Sequence, residues 1–100
     1  MSLNNPATPG VSASYGSYVG NSTLNKAIPH GLGKIPSGVI WIHASAGGWI
    51  VGGIGSIFGL ESNVQYATAV TAPNATNFYV GNDNKSANLN GQTYYWGAFG

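Results

Sequence analysis

The sequence contains no cysteine and no arginine. Without thiolates, a closed zinc site would have to gather His30 and His43 with Asp83 and Glu61 from distant parts of the chain, so no metal and no other cofactor is expected. Ionised side chains are almost as scarce. They make up 5% of the 100 residues, against about 25% in an ordinary soluble domain. The net charge of +1 rests on Lys26, Lys34 and Lys85 against Asp83 and Glu61. Three lysines cannot build a phosphate-tracking surface, because nucleic-acid affinity grows with the number of counterions released. Nucleic acid is therefore not an expected partner. The first 20 residues hold no apolar run long enough for an export signal.

Helix signals are also missing: no apolar set recurs at three and four residues over a dozen positions. The 26 uncharged residues between Lys34 and Glu61 are long enough to raise a membrane span. Pro36, His43 and seven glycines interrupt them, which is the punctuation of strands and turns, and no membrane insertion is expected.

What is present is apolar and aromatic. Hydrophobic residues are 43% and aromatics 12% of the chain, too rich for disorder. The β-branched and aromatic blocks predict an all-β fold, a small antiparallel β-sandwich of six or seven strands. Candidate strands are Ala13 to Val19, Thr23 to Ile28, Gly38 to Ala44, Trp49 to Ile54, Asn63 to Thr71, Asn77 to Val80 and Thr93 to Phe99. Pro6 and Pro9 suggest an extended N-terminal arm over residues 1–20, with Tyr15 in a possible edge strand and residues 21–100 as the sandwich. The arm, through Pro6, Pro9 and Tyr15, is the candidate docking segment.

Period-two alternation makes both sides of some strands apolar. Val39, Trp41 and His43 oppose Ile40 and Ile42, while Tyr94 and Trp96 oppose Tyr95 and Phe99. A second apolar face implies another layer or another chain. With so little charge to keep copies apart, a homo-oligomer is expected, with Trp41, Tyr95 and Phe99 as candidate interface residues.

The motifs that might carry chemistry have plainer readings. His30, in Ile28-Pro29-His30-Gly31-Leu32-Gly33, has no nucleophile or carboxylate companion in a recognisable setting, and reads as a histidine pinning a turn. Gly52-Gly53-Ile54-Gly55 lacks the order of a phosphate loop and suggests close backbone approach, a bulge or packing at an axis. Asn-X-Ser/Thr occurs at Asn21, Asn74 and Asn84, a by-product of Asn-rich composition. Glu61 and Asp83 have no spacing that argues a paired acid and base, and no enzyme is expected. Trp49, after a Gly-Gly turn, is the candidate exposed ring for a ligand. The polar stretch Gly81 to Gly91 reads as an exposed tip, offering Asn82, Asn84 and Asn88 as hydrogen-bonding partners for a neutral sugar.

Three segments carry a resemblance. Asn21-Ser22-Thr23-Leu24-Asn25-Lys26-Ala27-Ile28-Pro29-His30-Gly31-Leu32-Gly33 leads through Ile35-Pro36 into a strand. Val70-Thr71-Ala72-Pro73-Asn74-Ala75-Thr76-Asn77-Phe78-Tyr79-Val80-Gly81 follows, and the chain closes on Tyr94-Tyr95-Trp96-Gly97-Ala98-Phe99-Gly100. Over residues 18–100 this is similar to a module of tailed-bacteriophage structural proteins, found at the tips of tail fibres and spikes and in small virion proteins. The closing strand also resembles that of H-type lectin domains, sandwiches that trimerise. The resemblance implies a non-enzymatic virion protein, and a homotrimer. About 20 residues precede the module, where a tail fibre would carry a long shaft, so the expectation is a capsid decoration or head-fibre subunit docked on another virion protein such as the major capsid protein. The alternative expectation is a lectin-like tip recognising a host-surface glycan.

Overall fold

The computed structural model describes residues 13–45, 47–60 and 67–100. They form eight strands in two antiparallel sheets and no α-helix, an all-β sandwich as expected. In chain order these are β1 (Ala13–Val19), β2 (Lys26–Pro29), β3 (Ile40–Ala44), β4 (Gly47–Gly52), β5 (Ser56–Gly59), β6 (Ala67–Ala69), β7 (Asn77–Val80) and β8 (Thr93–Phe99). The larger sheet runs β1-β8-β3-β4-β5-β6, and the smaller is the β2-β7 pair.

Alternation decides which side of the large sheet is covered. Tyr94, Trp96 and Ala98 of β8, Ile40 and Ile42 of β3, Trp49 and Val51 of β4 and Ile57 of β5 all turn inward. There they meet Ile28 of β2 and Phe78 and Val80 of β7, with Leu32 and Ala87 completing a single core. Phe78 stands edge-on to Trp96 with ring centroids 5.3 Å apart. Each fully buried side chain of this size contributes roughly 1.5–3 kcal/mol, so the two-stranded sheet is held by packing rather than by ladder bonds.

The segments between strands are tied down individually. Ser22 and Asn25 adopt positive φ of 56° and 59° ahead of β2, which is why that strand starts at Lys26 and not at Thr23. His30 is buried; its Nδ1 accepts from the Leu32 amide at 3.1 Å and its Nε2–H donates to the Asn74 carbonyl at 2.7 Å. The histidine thus closes the turn after β2 onto the loop before β7. The Ser14 hydroxyl donates to the His30 carbonyl, tying β1 to the same corner.

Four expectations need correction or a boundary. Residues 13–19 are a full strand of the large sheet, paired with β8 from Ala13 opposite Phe99 to Val19 opposite Thr93, so the sheet begins inside the stretch assigned to an arm. Pro6 and Pro9 lie outside the described residues. The glycines at 52–55 form the turn of a β4-β5 hairpin, and β5 is a strand the candidate set lacked. Of the strand expected at 63–71, Ala67–Ala69 is a strand, and residues 61–66 lie outside the described residues. The stretch from Gly81 to Gly91 is not a free tip. Asp83 caps a 3-10 turn, Asn84–Ser86, by accepting from the Lys85 amide and the Ser86 hydroxyl, and Ser86, Ala87 and Asn88 are fully buried.

Candidate functional site

The face of the large sheet that points away from the core is the most unusual surface of the protein. Its central row is fixed by register: Tyr15 opposite Gly97, Gly97 opposite Trp41, Trp41 opposite Ile50, and Ile50 opposite Phe58. A second row sets Ser17 beside Tyr95, Tyr95 beside His43, and His43 beside Gly48. Phe99 lies at the end of β8 opposite Ala13. Tyr15 is 89% exposed, Trp41 and Tyr95 50% each, and Phe99 48%. Val39, Phe58 and Leu60 add further apolar surface.

A sheet with one solvated face normally alternates polar and apolar residues. These six strands, ASYGSYV, IWIHA, GGWIVG, SIFG, ATA and TYYWGAF, contain no Lys, Arg, Asp or Glu at all. The His43 ring stacks on Tyr95, centroids 5.4 Å apart and planes 26° from parallel, so even the imidazole of this face is used as a flat ring. Gly97, whose missing Cβ would touch nothing within 4 Å, leaves a notch between Tyr15 and Trp41. The three candidate interface residues Trp41, Tyr95 and Phe99 therefore come together on one exposed face, and Tyr15 joins them from β1.

The candidate ligand residues do not come together. Trp49 is 3% exposed, a correction with a clear cause. Gly47 and Gly48 belong to β4, opposite Ala44 and His43, so Trp49 does not stand beside a turn but inside the ladder, opposite the inward-facing Ile42, and its indole enters the core. Its Nε1–H donates to the Lys85 carbonyl at 3.0 Å, and the ring stands edge-on to Tyr94 at 5.4 Å. Asn88 is also buried rather than presented. Its Nδ2 donates to the carbonyls of Gly81 at 2.6 Å and Thr23 at 2.8 Å and to Asn21 Oδ1 at 3.2 Å, while its Oδ1 accepts from the Asn21 amide at 2.9 Å. All of its polar capacity is spent inside the fold. Asn82 is exposed, and the side chain of Asn84 lies outside the described structure.

Two tyrosines missed as structural anchors support the buried side of the same sheet. Tyr18 and Tyr94 stack 5.2 Å apart, with the Tyr18 hydroxyl donating to the Ala87 carbonyl at 2.7 Å and the Tyr94 oxygen accepting from the Leu89 amide at 2.9 Å. Burial pushes the Tyr18 phenol well above its ordinary value, and the neighbouring Tyr94 adds to this. Burial raises Tyr94 as well, helped by the negative Asp83 and opposed by the Leu89 amide. No cluster of three or more His, Cys, Asp or Glu side chains forms among the described residues. None of their helices is long and apolar enough to cross a membrane. Comparison with protein-family models, curated proteins and solved structures finds no match to the chain.

Proposed function

We propose that this protein is a non-enzymatic structural subunit of a bacteriophage virion, a capsid decoration or head-fibre protein that forms a homo-oligomer, a trimer, through the outer face of its large sheet. The observation that carries the reading is that this face is aromatic, exposed and devoid of ionised residues from β1 to β6. Contiguous apolar surface of this kind marks an interaction site. Burying it between copies recovers roughly 25 cal/mol for each Å² removed from water. The resemblance drawn from the three sequence segments, which the comparisons with known proteins do not reproduce, is the reason for placing such an assembly on a phage particle, with the major capsid protein as its docking partner. This reading is favoured over glycan recognition because Trp49 and Asn88, the residues a lectin-like tip would present, are consumed by the core and by a loop.

The test is the mass of the purified chain by light scattering, and its co-sedimentation with virions of the source phage, for wild type and for Tyr95→Glu. Wild type is expected to run as an assembly built of trimers, its mass a multiple of three chains, and to bind particles. The variant, whose side chain points away from the core, is expected to stay folded and lose the three-fold association. A wild-type monomer with no affinity for particles would overturn the proposal.

A further inference from the structure

A second feature of the sheet is independent of its aromatic face. Among the described residues β1 has one strand neighbour, β8, and its other side is an open edge. The Gly20 amide donates to the Gln92 carbonyl at 2.8 Å. Because ladder groups alternate in direction, the amides and carbonyls of Ser14, Gly16 and Tyr18 then face β8. Those of Ala13, Tyr15, Ser17 and Val19 point out of the sheet edge.

Edge strands of monomers are normally protected by brevity, charge, proline or a bulge. β1 has none of these. It is seven residues long, ASYGSYV, uncharged and free of proline, and its register with β8 runs without a slip. The opposite edge, β6, has three described residues. Gly16, at the centre of β1, is there for the layer beneath: a Cβ would come within 2.9 Å of the Trp96 ring. The indole consequently lies directly under the edge strand, and its Nε1–H is buried with no acceptor among the described residues.

We propose that this edge is a strand-addition site whose occupant is β1 of a second copy, paired antiparallel about a two-fold axis at Gly16. That register sets Ala13 opposite Val19 of the partner subunit and Tyr15 opposite Ser17 of the partner subunit, with the reciprocal pairs completing the ladder. Every outward amide and carbonyl of both strands is then used. Four pairs exchanging two bonds each give about eight bonds, close to the roughly ten of a standard protein interface. The same strand carries no charge, so apposing two copies brings no like charges together. Gly16 meets Gly16 of the partner subunit at the closely spaced kind of pair, where the absent Cβ lets the two backbones and the two indoles beneath approach. The outer faces of both copies continue across the axis as one surface. This inference does not depend on the virion reading, because it needs only a second copy and uses the edge rather than the face.

Amide hydrogen exchange on the full-length protein, read residue by residue together with its mass, tests it. In an open edge the amides of Tyr15, Ser17 and Val19 exchange at near-solvent rates while those of Gly16 and Tyr18 are protected. In the paired edge all five are protected, and the protection of the odd-numbered set falls on dilution as the mass halves. Ser17→Pro removes an outward amide and leaves the β1-β8 ladder intact, and is expected to abolish the odd-numbered protection and the two-fold step in mass. Ser17→Lys, which keeps the backbone amide and places like charges near the axis, is the second variant should proline perturb folding. Rapid exchange of the odd-numbered amides in the assembled protein would overturn the proposal. So would protection of those amides in a species of monomer mass, because the occupant would then come from within the chain. Tyr95→Glu, which addresses the face, is expected to leave the exchange pattern of β1 unchanged, so the two proposals fail separately.

Discussion

Asn88 shows how much of a small sandwich can rest on one polar side chain. Fully buried, it bridges the Gly81 carbonyl after β7 to the Thr23 carbonyl and the Asn21 amide of the β1-β2 connection. Each partner left unpaired in the interior costs about 1–3 kcal/mol. Asn88→Ala is therefore expected to destabilise the protein by more than about 3 kcal/mol, read as a lowered midpoint in urea, and Asn88→Asp, which faces two carbonyls without a donor, by at least as much. Tyr18 and Tyr94 give the residue scale a pH signature. Their phenols titrate above the ordinary tyrosine value of about 10, Tyr18 chiefly because it is buried and Tyr94 for the same reason. The folded state thus prefers the protonated phenols. Their stabilisation is complete below pH about 10 and is lost as pH rises from there towards the folded-state values. Tyrosinate absorbance from Tyr18 and Tyr94 is expected to appear only with unfolding. Tyr18→Phe, which removes the ionisable oxygen and keeps the stacked ring, should move the onset of alkaline unfolding to higher pH.

At the scale of the element, the β4-β5 hairpin depends on backbone space rather than on side chains. Gly55 sits at φ 85°, and a Cβ there would lie 2.4 Å from the Val70 carbonyl oxygen. The left-handed conformation alone costs a β-carbon roughly 1–2 kcal/mol, and the contact is with backbone that cannot rotate away. Gly55→Ala is expected to lose on the order of 2–4 kcal/mol in chemical denaturation. Gly53→Ala, where a Cβ meets nothing within 4 Å, should change stability by less than about 0.5 kcal/mol. The same hairpin marks the limit of what alternation makes legible. Where β-branched and aromatic residues cluster between turn residues, as at Ala13–Val19, Asn77–Val80 and Thr93–Phe99, the bounds of the strand can be read directly. That is why Tyr95 and Phe99 of the last strand can be named as candidate interface residues from alternation alone. SIFG, with two apolar residues set between a glycine turn and Gly59, carries too sparse a pattern to announce β5. The Gly-Gly before Trp49 looks like a turn, yet pairing with β3 draws both glycines into the ladder and sets the tryptophan opposite the buried Ile42 instead of at an exposed tip. Asn88 was misplaced for a different reason. Its burial is created by partners some 65 residues away, and local polarity carries no trace of them.

For the whole molecule, the scarcity of charge sets how copies of the chain attract one another. With a net charge of +1 and no ionised residue in the strands of the large sheet, neither long-range repulsion nor ion pairing can dominate contact through the outer face or the β1 edge. Sodium chloride, which acts by screening charges over a Debye length of about 10 Å at 0.1 M, has little to screen there. Sulfate acts differently, strengthening apolar burial through its exclusion from protein surfaces. Self-association measured by sedimentation velocity is accordingly expected to be nearly indifferent to sodium chloride and to strengthen on addition of ammonium sulfate. Trp41→Ser, which removes one of the largest exposed rings without touching the core, should reduce the sulfate effect. A dissociation constant that weakened steeply with sodium chloride would mean that Lys26, Lys34, Lys85 or Asp83 carries the contact, and the assembly surface would then have to be sought on the turns and the small sheet instead of on β1, β3 and β8.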